Sequence, residues 1–386
     1  MTPRVCFVVD SGTDVRLAES LAERTTLRIL ARRLPAGREI SQAARQPLLV
    51  EVGPAGHFAF GMFVIRRLLA LRAEIDIVVV QGYGPTAACA NLAGRLTGRA
   101  VLMLVCSPVE AYYRCRKSAT TGRPFRPIEY WVIRLFSAVN ARLGHGYVVL
   151  SPYLASVVRA HGARKPVDVI PVYGVDGRIF RPASEPKAAI RARLGLPAAV
   201  PIVFFSSRVA PEKDAETVLR AVRILADRGR PVHLLHLSGG HRELMELASR
   251  LGVEQHVIAG DAVVPFAPLA DYYRASDVCV QSSREEGLGF SPLEALACGI
   301  PVIATAVGGL KDTIRDLETG WQVPVGDAEA LARSVVTVLD DPAEAARRTS
   351  AGAELVSRSY ERRVVFDAFV ERLSLAAKRQ QAIACS

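Results

Sequence analysis

The sequence predicts an α/β protein built on two doubly wound parallel sheets. Three observations carry that prediction. Short β-branched apolar runs alternate with longer amphipathic stretches along the whole chain. The alternation halts once, in a proline-rich seam near Asp176–Pro201, and then restarts. Hydrophobic residues make up 50% of the 386 while aromatic residues make up 6%, a balance that suits helices on parallel sheets better than a β-sandwich. The length exceeds one ordinary core, so two domains are expected.

In the first array, Val5–Val9, Leu48–Val52, Ile75–Val80, Val101–Val105, Tyr147–Leu150 and Val167–Ile170 read as buried strands. Asp14–Glu23, Met62–Leu71, Thr86–Leu96 and Tyr153–Arg159 carry helical spacing between them. The seam holds Pro182, Pro186, Pro197 and Pro201 around a basic helix, Lys187–Leu194. In the second array Ile202–Phe205, Val232–Leu237, His256–Ala259, Val278–Gln281, Pro301–Ala304 and Trp321–Val323 are strands. Ala215–Arg228, Arg242–Leu251, Ala270–Ala275, Pro292–Cys298 and Ala328–Leu339 are the helices that separate them. Tyr360–Gln381 is one long helical pattern. The expected division is therefore 1–175, 176–359, and a C-terminal helix over 360–386 returning towards the first domain. Two such domains facing each other leave a cleft lined by strand carboxyl ends, where open α/β sheets bind ligands.

Charge and cysteines narrow the function. The formal net charge is +11, which favours phosphate-bearing ligands, anionic membrane surfaces or nucleic acid as partners. No nucleic-acid module is visible. The 7 cysteines are scattered, with no CxxC pair and no zinc spacing, which fits a reduced cytoplasmic chain. The apolar run at the N-terminus stops at Asp10, too short for a signal peptide, and no window suits a spanning helix. The chain reads as soluble, or peripheral at most. Phe58–Arg72 is amphipathic and basic and could lie on anionic lipid; packing on the sheet is the favoured reading, and a membrane surface the less favoured partner.

Two segments carry chemistry. In Ser282–Thr305 a strand runs into a loop holding Gly287 and Gly289, and Pro292 sits at a helix start where its missing N–H costs nothing. Such a turn lets backbone N–H groups approach a phosphate. Glu286 and Glu294 bracket it, and carboxylates there suit sugar or ribose hydroxyls better than phosphate. A Gly-rich turn with solvated acids is the plain alternative. In Ser206–Asp214, Arg208 and Lys213 stand on a strand-end loop at the same mouth and could clamp a diphosphate leaving group; alone, they would read as a solvated edge. A dinucleotide-dependent oxidoreductase is disfavoured, because no GxGxxG follows a strand with an acid about 20 positions on.

Together these segments resemble the retaining glycosyltransferases of family 4, which have the GT-B fold. Tyr173–Pro182, Ser151–Leu154, Gly260–Val278 and Val307–Gly309 fit the same pattern, which covers Gly146 to Leu339 closely and the first domain loosely. The resemblance implies that Arg208 and Lys213 contact the donor diphosphate and that Glu286 reads donor-sugar hydroxyls. It further implies that the amides of Gly287, Leu288, Gly289 and Phe290 line sugar and phosphate, that Glu294 accepts from ribose, and that the loop from Gly260 to Val263 meets the base. Ser11–Gly12–Thr13 matches the family's first-domain glycine turn, with one glycine where two are common.

The chain also departs from the family. Cys106–Ser107–Pro108 replaces a histidine near the sugar's primary hydroxyl, and Gln81–Gly84 replaces another His-rich strand end. Asp214 replaces a glycine, and Lys311–Asp312 stand in place of a glutamate. Cys106 itself reads as a small buried residue rather than a nucleophile.

The expectation is a metal-independent retaining glycosyltransferase using a nucleotide-diphosphate sugar and a small-molecule acceptor, with no cofactor and no metal. Arg208, Lys213 and Glu286 are its catalytic candidates. Ser107, Glu110, Arg114 and Arg116, in the segment Cys106–Pro127, are the candidate acceptor residues. The alternatives are a non-catalytic nucleotide-sugar-binding protein on the same scaffold and a peripheral-membrane glycolipid glycosyltransferase. The base, sugar, acceptor and oligomeric state stay open.

Overall fold

A parallel sheet covered on both faces needs strands that are apolar on both sides, and the chain supplies two sets of them. In the computed structural model, which describes residues 2–10, 15–32, 49–82, 84–121, 126–260 and 264–385, the first set is β1 (Arg4–Val9), β2 (Thr26–Arg32), β3 (Leu49–Gly53), β4 (Ile77–Gln81), β5 (Ala100–Val105), β6 (Gly146–Val149) and β7 (Val167–Val169). All are parallel, in the order β3-β2-β1-β4-β5-β6-β7. The accompanying helices are α1 (Val15–Arg24), α2 (His57–Ala70), α3 (Pro85–Thr97), α4 (Val109–Thr121), α5 (Pro127–Leu143) and α6 (Pro152–Ala160). Val5–Val9, Ile77–Val80 and Ala100–Val105 are buried, as central strands must be.

The second set is β8 (Ile202–Phe204), β9 (His233–His236), β10 (Val257–Ala259), β11 (Val278–Gln281), β12 (Val302–Thr305) and β13 (Trp321–Val323). Its order is β10-β9-β8-β11-β12-β13. Its helices are α7 (Lys187–Leu194), α8 (Ala215–Asp227), α9 (His241–Arg250), α10 (Phe266–Ala275), α11 (Phe290–Ala297), α12 (Leu310–Thr313), α13 (Ala328–Asp340) and α14 (Pro342–Ser359), while the last helix, α15 (Arg362–Cys385), counts from Arg363 onward with the first sheet. Between β8 and β11 the chain order reverses direction: β9 and β10 extend one way, β12 and β13 the other. That reversal is a topological switch point, where loops at the strand carboxyl ends part and leave room for a ligand.

By contacts the chain divides into two units. One comprises Met1–Glu110, Phe125–Tyr173 and Arg363–Ser386; the other comprises Ala111–Pro124 and Gly174–Arg362. Residues 111–124, grouped with the first domain by the sequence, thus count with the second unit. Within that unit Val175 bridges Glu361, its N–H donating to Tyr360 at 2.7 Å while its carbonyl accepts from Arg362 at 2.9 Å.

Several elements differ from the expectation. The strand β2 lies outside the expected set, because Arg28 and Arg32 interrupt an otherwise apolar run. Within Cys106–Pro127, where the sequence reading marks no helix, Val109–Thr121 is a helix whose apolar positions form no stripe. The helices α5 and α14 are additional. In α5 the apolar residues run almost all the way round the helix, which removes the one-sided period that marks a surface helix.

Candidate functional site

The loops that leave β8 and β11 flank the switch point of the second unit, and hydrogen bonds join them. Ser282 Oγ donates to the carbonyls of Lys213 at 2.8 Å and Asp214 at 3.0 Å, and the Arg284 N–H donates to the Glu212 carbonyl at 2.8 Å. Ser207 Oγ donates to Gln281 Oε1 at 2.9 Å, and its carbonyl lies 3.0 Å from the buried His236 ring nitrogen. Arg208 and Lys213 are thus held on the same framework as Glu286.

The charges pair closely. Lys213 Nζ forms an ion pair with Glu286, both largely buried. The Glu286 carboxylate also accepts from Tyr112 at 3.1 Å, Ser283 at 3.2 Å and Gln281 at 3.3 Å. Burial, and then the Glu286 charge, push the Tyr112 phenol far above its ordinary value, so it stays a donor. Arg208, half exposed, donates to Glu212 at 2.8 Å, and Arg116 of α4 grips the same carboxylate at 2.6 Å. Burial alone would raise the Glu212 carboxyl, but the Arg116 hydrogen bond and the two guanidinium charges hold it below the ordinary value. Sequence reasoning missed Glu212, the residue immediately before Lys213, although a carboxylate between two cations signals a guanidinium support.

Glu294 is buried on α11 and accepts from the Tyr273 hydroxyl at 3.1 Å; that hydroxyl lies 2.7 Å from Ser206 Oγ, which in turn donates to Ser291 at 3.4 Å. Burial, reinforced by the Glu294 charge, keeps Tyr273 protonated. The turn before α11 follows from backbone demands. Gly289 sits at φ 90°, which non-glycine residues rarely adopt. Its neighbour Gly287 is crossed by the turn after β12: the Gly309 N–H donates to the Glu286 carbonyl at 3.0 Å, and a Cβ on Gly309 would come within 2.3 Å of the Gly287 oxygen. Leu288 is buried and Phe290 opens α11. Gly260 follows β10, its N–H donating to the His236 carbonyl at 3.1 Å. Gly12 and Val263 lie outside the described residues.

Asp214 stands at a position where the sequence resemblance leads one to expect glycine. Its φ is 52°, in the left-handed region. Its buried carboxylate accepts from Thr217 at 2.9 Å and pairs with Arg284 at 2.9 Å, bonds that offset the cost of that conformation. Asp214→Ala keeps the strained backbone and loses both bonds. It should destabilise the protein by about 1–3 kcal/mol, measured by denaturant unfolding, and an unchanged stability would show that the two bonds contribute nothing.

The acceptor candidates fall in different units: Ser107 and Glu110 in the first, Arg114 and Arg116 in the second. Glu110 lies 3.4 Å from His161, and Arg116 is engaged by Glu212, so neither is a loosely solvated charge. Cys106 lies 3.3 Å from the Tyr173 hydroxyl, and burial pushes its thiol up to about 12; it is no nucleophile at neutral pH. Among the described residues, no group of three His, Cys, Asp or Glu side chains is placed to hold a metal.

Comparison with known proteins bears on this same stretch. Residues 186–355 match the family model described as Glycosyl transferases group 1. The D-inositol 3-phosphate glycosyltransferase of Thermobispora bispora is 40% identical over 191 residues, 47% of this chain and 44% of that protein. Its counterpart from Xylanimonas cellulosilytica is 36% identical over 234 residues, 58% of this chain and 55% of that protein. The chain spans about half the length of the curated relatives it matches. Among solved structures, sucrose-phosphate synthase from Thermosynechococcus elongatus superimposes with a TM-score of 0.76 at 23% identity, covering 99% of this chain and 100% of that one. Anabaena HepE, solved with UDP-glucose, gives 0.78 at 18% identity, covering 96% and 99%. The two doubly wound sheets are thus those of the GT-B fold, and the group 1 glycosyl transferase match falls on the residues that hold Arg208, Lys213, Glu286 and Glu294.

Proposed function

We propose that this chain is a retaining glycosyltransferase of the family 4 type, moving a sugar from a nucleotide-diphosphate donor to a small-molecule acceptor. The observation that carries the reading is the Lys213–Glu286 ion pair at the switch point. It joins a cation suited to a diphosphate to a carboxylate suited to sugar hydroxyls, so the two halves of a nucleotide-sugar would meet residues that orient one another. The matched relatives are named as glycosyltransferases and the Anabaena structure holds UDP-glucose, which supports the same reading.

In the proposed reaction the anomeric C–O bond breaks and its electron pair passes to the outer phosphate oxygen. Arg208 and Lys213 stabilise that charge as it develops, helped by the N–H groups at the start of α11. The acceptor oxygen forms the new bond from the same face, and its proton passes to the leaving phosphate. The two cations supply the charge that a metal ion would otherwise bring, and the sequence lacks an Asp-x-Asp triplet; we therefore propose turnover without a divalent metal. A binding-only reading rests on Cys106, Ser107 and Pro108 standing where the resembled family has a histidine.

Calorimetry with nucleotide and with intact donor tests the site. Glu294→Gln should weaken both ligands alike, by about tenfold or more for a lost charge-assisted bond of roughly 1.5–3 kcal/mol. Glu286→Gln should weaken the donor while leaving nucleotide affinity unchanged or higher, because it releases Lys213. Equal losses of both ligands in both variants would remove the division of labour.

A further inference from the structure

The first unit carries a surface that the transferase reading does not use. On α5, Ile128, Trp131, Val132 and Leu135 are exposed at i, i+3, i+4 and i+7, with Trp131 65% accessible. That is the spacing of a buried stripe, turned towards solvent. The opposite side of the helix is the packed one: Asn140 and Asn91 of α3 share a buried hydrogen bond of 2.9 Å, and Ser137 is buried too. The neighbouring helices repeat the pattern. Leu92 and Leu96 are exposed on α3, and Arg95 between them donates to the carbonyls of Arg142 and Leu143 at 2.9 Å, which ties this edge to the end of α5. On α2, which packs on α3, Phe58 is 82% accessible and Met62 and Leu69 are exposed.

Charge selects what covers this layer. The stripe of α5 is bounded by exposed Arg126 and Arg142, and exposed Arg66 and Arg95 stand on the two neighbouring helices. The one acidic residue of α5, Glu129, accepts from the Arg126 N–H at 3.0 Å and closes the helix start. An isologous contact with a second copy would set this basic face against itself. An exposed Trp among aliphatics, ringed by arginines, instead suits the boundary between acyl chains and anionic headgroups. No helix among the described residues is long and apolar enough to cross a membrane.

We propose that this helical layer, centred on Trp131 of α5, docks the protein onto an anionic lipid bilayer. The apolar stripe enters the headgroup boundary and the flanking guanidinium groups meet the lipid phosphates. Docking of this kind is independent of the catalytic reading and stands or falls without it.

The test uses the full chain and vesicles of phosphatidylcholine, with or without about one third phosphatidylglycerol. Co-sedimentation should be at least about tenfold stronger on the anionic vesicles, since each surface guanidinium gains from the negative potential. Of the 2 tryptophans, Trp321 is buried beneath Arg348, so Trp131 reports the contact: its emission should shift to the blue and be quenched by lipids brominated on their acyl chains. Trp131→Glu combined with Leu135→Glu, both at exposed positions, should keep the circular dichroism spectrum and abolish pelleting. The proposal is overturned if anionic vesicles retain no protein, or if they retain it without quenching of Trp131. It is equally overturned if the double variant binds as the parent does, or loses self-association in place of lipid binding.

Discussion

Lys213→Ala should lower donor turnover at least about 100-fold, the scale of removing one preorganised charge-stabilising group, about 2.7 kcal/mol. Preorganisation is visible at both ends of this lysine. Its N–H donates to the Ala210 carbonyl at 2.8 Å and its own carbonyl accepts from Ser282, while its ammonium is fixed by Glu286. None of that order has to be created when charge appears on the leaving phosphate. The variant should stay folded, because Glu286 keeps Tyr112, Ser283 and Gln281 as donors. It should melt lower, since a largely buried carboxylate loses its counter-ion. Arg208→Ala should show a comparable loss of turnover with little loss of stability, because Arg208 is half exposed and Glu212 retains Arg116. Steady-state kinetics beside thermal unfolding decide it, and near-normal rates in both variants would end the diphosphate assignment.

Gly309→Ala should be the most damaging conservative change in the second unit. The backbone at Gly309 has φ −70° and ψ −12°, which alanine adopts readily, so conformational strain plays no part. The obstacle is contact: the new Cβ would lie 2.3 Å from the Gly287 oxygen and 2.8 Å from the Leu288 Cα. Backbone atoms cannot rotate away as a side chain can. The Glu286–Leu288 loop must move, and the Gly309 bond to the Glu286 carbonyl with it. The expected cost is about 1–3 kcal/mol or more of stability, with donor affinity falling at least about tenfold as the loop shifts. Gly177→Ala is the control, since a methyl group there would meet nothing within 4 Å. Equal behaviour of the two variants would show that the loop yields freely.

How much of this is legible in the sequence depends on the element. Strands such as Val278–Gln281 stand out because both of their faces are buried, so their apolar runs are unbroken. β2 hides behind Arg28, which pairs with Glu51 at 3.0 Å, and Arg32, which pairs with Asp10 at 2.7 Å; an edge of charge blurs the run. The helix α5 escapes for the opposite cause, being apolar on the face that packs and on the face that does not. At the site, Arg208, Lys213 and Glu286 can be named because strand-end loops carry them in recognisable order, and Glu294 because it follows on the helix that the glycine turn opens. Their supports cannot. Tyr112 and Glu286 are 174 positions apart, and Arg116 and Glu212 are 96 apart; only the fold brings such residues together. Asp214 reads as a departure from a glycine, and the structure supplies the reason that it survives there.

The most direct measurement is donor turnover in EDTA. The purified chain is incubated with a panel of nucleotide-diphosphate sugars, and release of nucleotide diphosphate and free or transferred sugar is followed by mass spectrometry and proton NMR. At least one donor should be consumed with no divalent metal added. The sugar should be released or transferred first as the anomer it had in the donor, and Lys213→Ala should slow the reaction at least about 100-fold. Failure to consume any donor, restoration of activity by magnesium or manganese alone, or an inverted first anomer would contradict the proposed mechanism.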